Sequence, residues 1–279
     1  MRQAEELHRS SSRSMERLVH LRPVRKTPMW SVREEEMKLG VFVCGYNCAL
    51  YVQAAMDSIK EQTVKDFVAV CVDDCSTDLT AMILNGTKDE RFTILRNDTR
   101  RGGTMTRLRA CQELAGMGVD VMVMLDMDDQ LLPGALERIA VEYDKGAWMT
   151  YGNWIDEKGC ICPHRPMSEE AYSLMWGATA NWIMTHAMTF SSRLWAKIPN
   201  ANWFHADGSP FGSGQSDANL MLSLAALAGP SRIHGIPEPI YRYTRFGSAS
   251  CLRLLPASER NGDWGEIVSR PRPAILEAL

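Results

Sequence analysis

The chain has 279 residues, enough for one large or two small domains with a sizeable buried core. At 45% hydrophobic and 23% charged it has an ordinary globular composition, and a net charge of −3 excludes a strong whole-chain field directed at nucleic acid or membrane. Locally the balance differs: residues 1–33 carry eight Lys/Arg against three Glu, and residues 91–109 carry six Arg against one Asp.

Residues 1–38 lack strand-like runs and read as a basic, helical or partly ordered extension. From Leu39 the character changes. "LGVFVCGYN" is a short apolar run closed by a turn, hence a buried strand. The next stretch places Val52, Ala55, Met56 and Ile59 on one helical face. "FVAVCVDDCSTD" repeats the pattern: a strand, an acidic turn, then a helix start with Ser76 or Thr77 as N-cap. "RFTILRN" is a third strand, and "TMTRLRACQELAG" a third helix stopped by Gly116. "VDVMVMLDMDD" is a fourth strand, with Pro133 predicted at the first position of a fourth helix.

Four alternations with continuously apolar strands predict an α/β domain whose parallel sheet is buried between helices. Such sheets bind ligands at the carboxyl ends of their strands. Those ends carry Gly45-Tyr46-Asn47, Asp73-Asp74, Arg96-Asn97 and Asp126/Asp128/Asp129.

The second half is less regular. "AWMTYGNWIDEKGCIC" predicts a strand, a turn at 157–159 and a return strand. A Trp-rich helical or loop region follows around 165–182. "THAMTFSSRLWAKI" predicts a strand and a short helix capped by Ser191 or Ser192. A Gly/Pro/Asp loop then leads into the apolar helix "SDANLMLSLAALAG", and "SRIHGIPEPIYRYT" predicts two short strands. Residues 251–279 read as a tail or packing arm.

The cysteines sit mostly in apolar runs of a chain too long to need disulfide staples, which predicts reduced thiols and a cytoplasmic location. The pairs Cys44/Cys48 and Cys71/Cys75 have CxxxC spacing and straddle strand-to-helix turns, a poor match to structural zinc. The N-terminus shows no signal-peptide core, and no apolar stretch reaches the roughly 18–20 residues of a membrane span.

Three carboxylates within four positions, Asp126, Asp128 and Asp129, precede Pro133 by too much to serve mainly as a helix cap. Their mutual repulsion is relieved by a divalent cation. Asp73 and Asp74 end a buried strand, where an acidic residue commonly accepts hydrogen bonds from a ribose.

The stretch "VFVCGYNCALYVQAAMDSIKEQTVKDFVAVCVDDCSTDLT", with "LDMDDQLLPGAL", "THAMTF" and "QSDANLMLSLAALAG…IPEPIYRY" downstream, resembles family 2 glycosyltransferases over residues 39–246. The resemblance implies a GT-A fold: Rossmann-like, with a mostly parallel central sheet, helices on both faces and a smaller mixed acceptor-side region. Residues 39–250 would form it, with 39–130 the nucleotide-binding half and 131–250 the acceptor half. The resemblance implies an inverting sugar transfer from a nucleotide sugar, a UDP-sugar foremost, dependent on Mn²⁺ or Mg²⁺. Tyr46, Asn47, Asp73, Asp74, Arg107 and Asp126 would surround the donor nucleotide and diphosphate. Asp126 and Asp128 would hold the metal, Asp128 the more directly.

Asp217 would be the catalytic base at a helix start. Asp129, His186, Trp203 and Asp207 are candidates on the donor-sugar or acceptor side, with Asp129 alternatively behind the metal ligands. The sequence departs from the family pattern at Cys44-Gly45, Leu108 and Ser216, which bears on donor identity. The acceptor stays open: a glycan, a protein, or a modified DNA base, the last favoured slightly by the basic stretches. Two alternatives remain. "RGGTMTRLRA" (101–110) is similar to the phosphate loop of sugar nucleotidyltransferases, and a non-catalytic nucleotide-sugar binder could share the fold.

Overall fold

The computed structural model describes residues 37–176, 182–212, 216–244 and 264–279. The expected basic extension falls almost wholly outside them. Four strands, β1 (Leu39–Gly45), β2 (Phe67–Asp73), β3 (Phe92–Arg96) and β4 (Val121–Asp126), pair in parallel. Helices α1 (Val52–Lys60), α2 (Thr80–Asn85) and α3 (Gly102–Gly116) connect them. Beyond β4 come β5 (Gln130–Leu131), α4 (Ala135–Asp144), β6 (Met149–Asp156), α5 (Glu169–Ser173), β7 (Thr185–Ser191) and α6 (Ser192–Trp195). Helix α7 (Ser216–Ala228), strand β8 (Ile233–Tyr243) and helix α8 (Trp264–Ser269) complete the described elements. They form one sheet in the order β3-β2-β1-β4-β7-β6-β8-β5.

Alternate residues of the parallel strands feed opposite cores. Phe42, Val70, Val72, Met122 and Met124 pack with Ala110, Cys111 and Leu114 of α3 and with α7. Val41, Val43, Ala69, Cys71, Val123 and Leu125 pack on the other face with α1 and α4. Both faces are thus covered, which is why these strands read as unbroken apolar runs. The strand order reverses between β1 and β4, and the carboxyl ends beside that switch are where open α/β sheets take ligands. From β7 onward the pairing is mixed: β7 runs antiparallel to β4 and β6, while β8 runs parallel to β6.

Several expected boundaries differ. Helix α2 starts at Thr80, not after Ser76 or Thr77, because those residues tether the preceding loop instead. Helix α4 starts after Gly134, whose φ of +77° turns the chain, so Pro133 stands outside it. Residues 130–132 are drawn into the sheet edge first, with the Leu132 N–H donating to the Ile240 carbonyl. The return strand after 157–159 shrinks to a single bridge, Ile155 with Ile161, because the Asp156 carboxylate collects the N–H groups of Lys158 and Cys160 and curls the chain. The two strands expected at the end are one, β8. Its Pro237 and Pro239 lie where the β6–β8 register shifts, and the Asn153 amide donates to the Pro237 carbonyl there.

Residues 264–279 form a packing arm: Ile267 and Val268 are buried, Leu276 donates its N–H to Leu227, and Arg270 donates to Asn202 and Asn219. The cysteines among the described residues are free thiols. No helix among the described residues is long and apolar enough to cross a membrane.

Gly45 marks where β1 meets the segment after β4. A Cβ there would stand 2.5 Å from the Met127 Cβ and 2.9 Å from the Cys48 Sγ. The backbone of β1 therefore approaches the acidic turn as closely as only glycine permits. Gly45→Ala is expected to destabilise the fold by about 1–3 kcal/mol through overpacking, measured by urea denaturation. A change under about 0.5 kcal/mol would show that the two loops can part freely.

Candidate active site

The switch-point loops are built by mutual hydrogen bonds. Asn47, at φ +56°, accepts from the Thr77 N–H through its side chain and donates its own N–H to the Ser76 hydroxyl at 2.8 Å. It thereby clips the β1–α1 loop to the β2–α2 loop. The half-buried Tyr46 ring carries the Arg100 guanidinium 4.4 Å from its centroid at the mouth of this region.

Asp73 and Asp74 differ from the expectation of carboxylates presented to a ribose. Both are buried in this structure. Asp73 accepts from the Ser76 N–H and pairs with Arg96 at 3.1 Å. Asp74 accepts from the Asn97 amide at 2.7 Å and from the N–H groups of Arg101 and Gly102 at the start of α3. A carboxylate at a helix N-terminus is electrostatically favourable. These two residues shape the loops that bear Tyr46 and Arg100. Two amides of "RGGTMTRLRA", those of Arg101 and Gly102, are thus already occupied by Asp74, which speaks against a phosphate cradle there.

At the end of β4 the three carboxylates take three different places. Asp129 is 2% exposed. It accepts from the Tyr241 hydroxyl at 2.8 Å and the Thr244 N–H at 2.7 Å, while the Thr244 hydroxyl donates to the Asp128 carbonyl. Asp129 therefore pins the end of β8 beneath the acidic turn, behind the partly exposed Asp126 and Asp128. Burial, then the charges of Asp128 and Asp126, push its carboxyl well above the ordinary range.

Asp126 is held by Arg107, with Nη2 2.6 Å from its carboxylate. Burial alone would raise the Asp126 carboxyl, but the Arg107 charge, then that of His186, overcome this and hold it below the ordinary value. Arg107 also donates to the Ser216 hydroxyl at the start of α7. Burial works against its charge, yet Asp126 and then Asp217 keep it firmly protonated. His186 lies with Nε2 3.9 Å from Asp126 and stacks on Tyr241 and Tyr243, with centroids 5.0 and 6.0 Å away.

Helix α7 is apolar all round and buried all round: every residue from Ser216 to Ala228 is buried except Asp217. Asp217 accepts the neighbouring Ala218 N–H, and its charge reaches both Arg107 and Tyr243. Tyr243 was not singled out from the sequence. Burial, then Asp129, Asp126, Asp128 and Asp217, push its phenol up to about 12, so it stays protonated.

Two expected site residues lie elsewhere. Trp203 is packed in the core beside Phe211 and offers no face to a sugar. Asp207 turns its carboxylate onto the N–H and hydroxyl of Ser209 in a surface turn. His234 is a structural residue, its Nδ1 3.1 Å from Glu142.

The donor set suits a hard divalent cation. Among the described residues no three His, Cys, Asp or Glu side chains stand close enough to form a complete metal cage. Asp128 and Asp126 offer oxygen at the surface, while the nearby Cys44 thiol is pushed up by burial and stays neutral. One or two carboxylates completed by substrate phosphates and water is the usual way proteins hold Mg²⁺.

An α/β sheet with a switch-point site, an acidic turn after β4 and an acid at the head of a buried helix defines the GT-A type of fold. Residues 40–201, more than half of the chain, match the model of glycosyl transferase family 2, and the chain belongs to that family.

Among curated relatives it is 28% identical over 124 residues to a GalNAc(5)-diNAcBac-PP-undecaprenol β-1,3-glucosyltransferase of Campylobacter jejuni, covering 43% of this chain and 39% of that protein. It is 27% identical over 124 residues to the UDP-Glc:α-D-GlcNAc-diphosphoundecaprenol β-1,3-glucosyltransferase WfaP of Escherichia coli, covering 44% and 48%. The chain thus spans less than half the length of these relatives. Among solved structures it resembles TarS of S. aureus in complex with UDP, at 19% identity and a TM-score of 0.56, over 75% of this chain and 61% of that one. The mannosyltransferase PcManGT from Pyrobaculum calidifontis, in complex with GDP-Man and Mn²⁺, matches at 17% identity and a TM-score of 0.52, over 77% and 59%.

Removing Arg107 leaves Asp126 partly buried without its partner. Arg107→Met is expected to cost about 3–5 kcal/mol in urea denaturation. Adding Asp126→Asn to that variant is expected to restore part of the loss; strictly additive losses would show that the two side chains are not coupled.

Proposed function

We propose that the chain is a metal-dependent, inverting glycosyltransferase that moves a sugar from a nucleotide-sugar donor to an acceptor hydroxyl. The observation that carries this reading is Asp217, the one half-exposed residue of a buried helix, set beside the Arg107–Asp126 pair at the end of β4. A divalent cation held by Asp128, with Asp126 adjacent, would supply Lewis-acid neutralisation of the leaving diphosphate. Arg107 keeps Asp126 ionised and anchors the head of α7. The Asp217 carboxylate takes the proton from the acceptor hydroxyl as its oxygen attacks the anomeric carbon. A new C–O bond forms while the bond to the diphosphate oxygen breaks, and the proton passes from Asp217 to solvent.

Tyr46, clipped in place through Asn47, provides the aromatic face for the base, and Arg100 over it adds positive charge near the donor. A UDP-sugar is the favoured donor, supported by the UDP named in the TarS complex and by UDP-Glc in the name of WfaP. A saccharide hydroxyl is the favoured acceptor, since both curated relatives are named for lipid-diphosphate-linked saccharides.

The reading is tested with a panel of UDP- and GDP-sugars, with Mn²⁺, Mg²⁺ or EDTA. Donor hydrolysis or transfer is expected with at least one donor, and its loss in EDTA with recovery on adding metal. Activity indifferent to EDTA would remove the metal from the mechanism. Asp217→Asn is expected to lower transfer by about 10²–10⁴-fold while donor affinity stays unchanged. Equal loss of binding and turnover would argue against a base at this position.

A further inference from the structure

We infer that Tyr243 contacts the transferred sugar, its hydroxyl donating a hydrogen bond that fixes the sugar between the metal-binding carboxylates and Asp217. The inference rests on the proposed function of the same site. It begins from how the ring is held. His186 stacks against Tyr243 with an interplanar angle of 11°, and Trp154 packs against it at 5.4 Å. These contacts come from β6, the strand paired with β8, and from β7 on the far side of β6, so the ring is held by two other strands of the sheet. Aromatic neighbours of this kind leave little rotamer freedom, and the hydroxyl is delivered to one place.

That place is the acidic cluster. The charges of Asp126, Asp128, Asp129 and Asp217 all bear on Tyr243, the first three from the β4 turn and the last from α7. The geometry places it beside the turn: His186, stacked on Tyr243, has its Nε2 3.9 Å from Asp126, and Thr244, the next residue, donates to the Asp129 carboxylate and the Asp128 carbonyl. Its companion Tyr241, two residues earlier on β8, is fully buried and spends its hydroxyl on Asp129. Tyr243 is half-buried, and its hydroxyl has no hydrogen-bond partner among the described residues. A phenol that faces carboxylates yet pairs with none of them has its donor available for a ligand. In the proposed reaction the sugar lies between the diphosphate and the attacking hydroxyl, so a sugar oxygen is the group within its reach.

The test separates sugar contact from nucleotide contact. Affinities of wild type and Tyr243→Phe are measured by calorimetry with Mn²⁺ for UDP, UDP-glucose, UDP-GlcNAc, GDP and GDP-mannose. The variant keeps the clamped ring, and its melting temperature is expected to match wild type. For the nucleotide sugar that wild type binds, Kd is expected to rise about 3- to 10-fold, the worth of one neutral hydrogen bond. The matching nucleoside diphosphate is expected to bind both proteins equally. Equal affinities of the two proteins for the nucleotide sugar would overturn the inference while leaving the proposed function standing. So would an equal loss for sugar and sugarless ligands. Wild type that binds none of the five would overturn the proposed function and this inference together.

Discussion

The site depends on one largely buried cation. Arg107 projects from α3, pairs with Asp126 at the end of β4 and donates to Ser216 at the head of α7. The consecutive α3 and β4 and the distant α7 are thereby referred to a single guanidinium. A planar fork suits this work, because it can address two oxygen partners along fixed directions. Desolvating a guanidinium is costly unless its charge is matched, and here Asp126 and Asp217 match it. The pair is weak evidence for stability as such. Its consequence is geometric: the Asp126 carboxylate at the end of β4 and the Ser216 head of α7 are tied to one side chain.

Much of this was legible in the chain. Strands β1–β4 were plain because burial on both faces turns them into continuous apolar runs closed by polar turns. Asp217 was singled out through the family resemblance, and the structure places it at the start of a helix with no polar face. What the sequence could not separate was Asp126, Asp128 and Asp129. Their division of labour is set by Tyr241, Thr244 and Arg107, which are distant in sequence and meet them only in the fold. The same holds for Asp74. As a strand-end acid it resembles a ribose ligand, and only the amides of Arg101 and Gly102 reveal it as an internal anchor.

Aromatic residues were the least readable. Trp203 lies in a polar, glycine-rich neighbourhood that suggests a sugar-binding surface, yet its indole is absorbed by the core. Tyr243 lies in "PIYRY", a run that reads as plain strand, yet it reaches the site. Alternation along β8 puts Tyr241 and Tyr243 on one face, and depth alone gives them different tasks. Tyr241 is sealed beneath the acidic turn, while Tyr243 comes one pleat closer to solvent. Depth along a strand has no signature in local sequence, because it depends on where the neighbouring strands end.

The charge balance is what the proposed metal and donor would answer. Asp126 and Asp128 bear on Asp129, all three bear with Asp217 on Tyr243, and Arg107 is the cation that Asp126 and Asp217 share. The fold relieves the remaining charge in part by raising Asp129, which is buried and costs least to neutralise. Asp126 is kept ionised by Arg107, so the unrelieved charge is concentrated where a cation can reach it. A divalent cation brings opposite charge to that position, and the diphosphate that accompanies it is in turn tolerated beside carboxylates only because the cation is present. On the proposed reading, metal and donor would therefore favour one another's binding through the same cluster. Asp217, on α7 rather than on the β4 turn, would on that reading remain the carboxylate available to an acceptor proton.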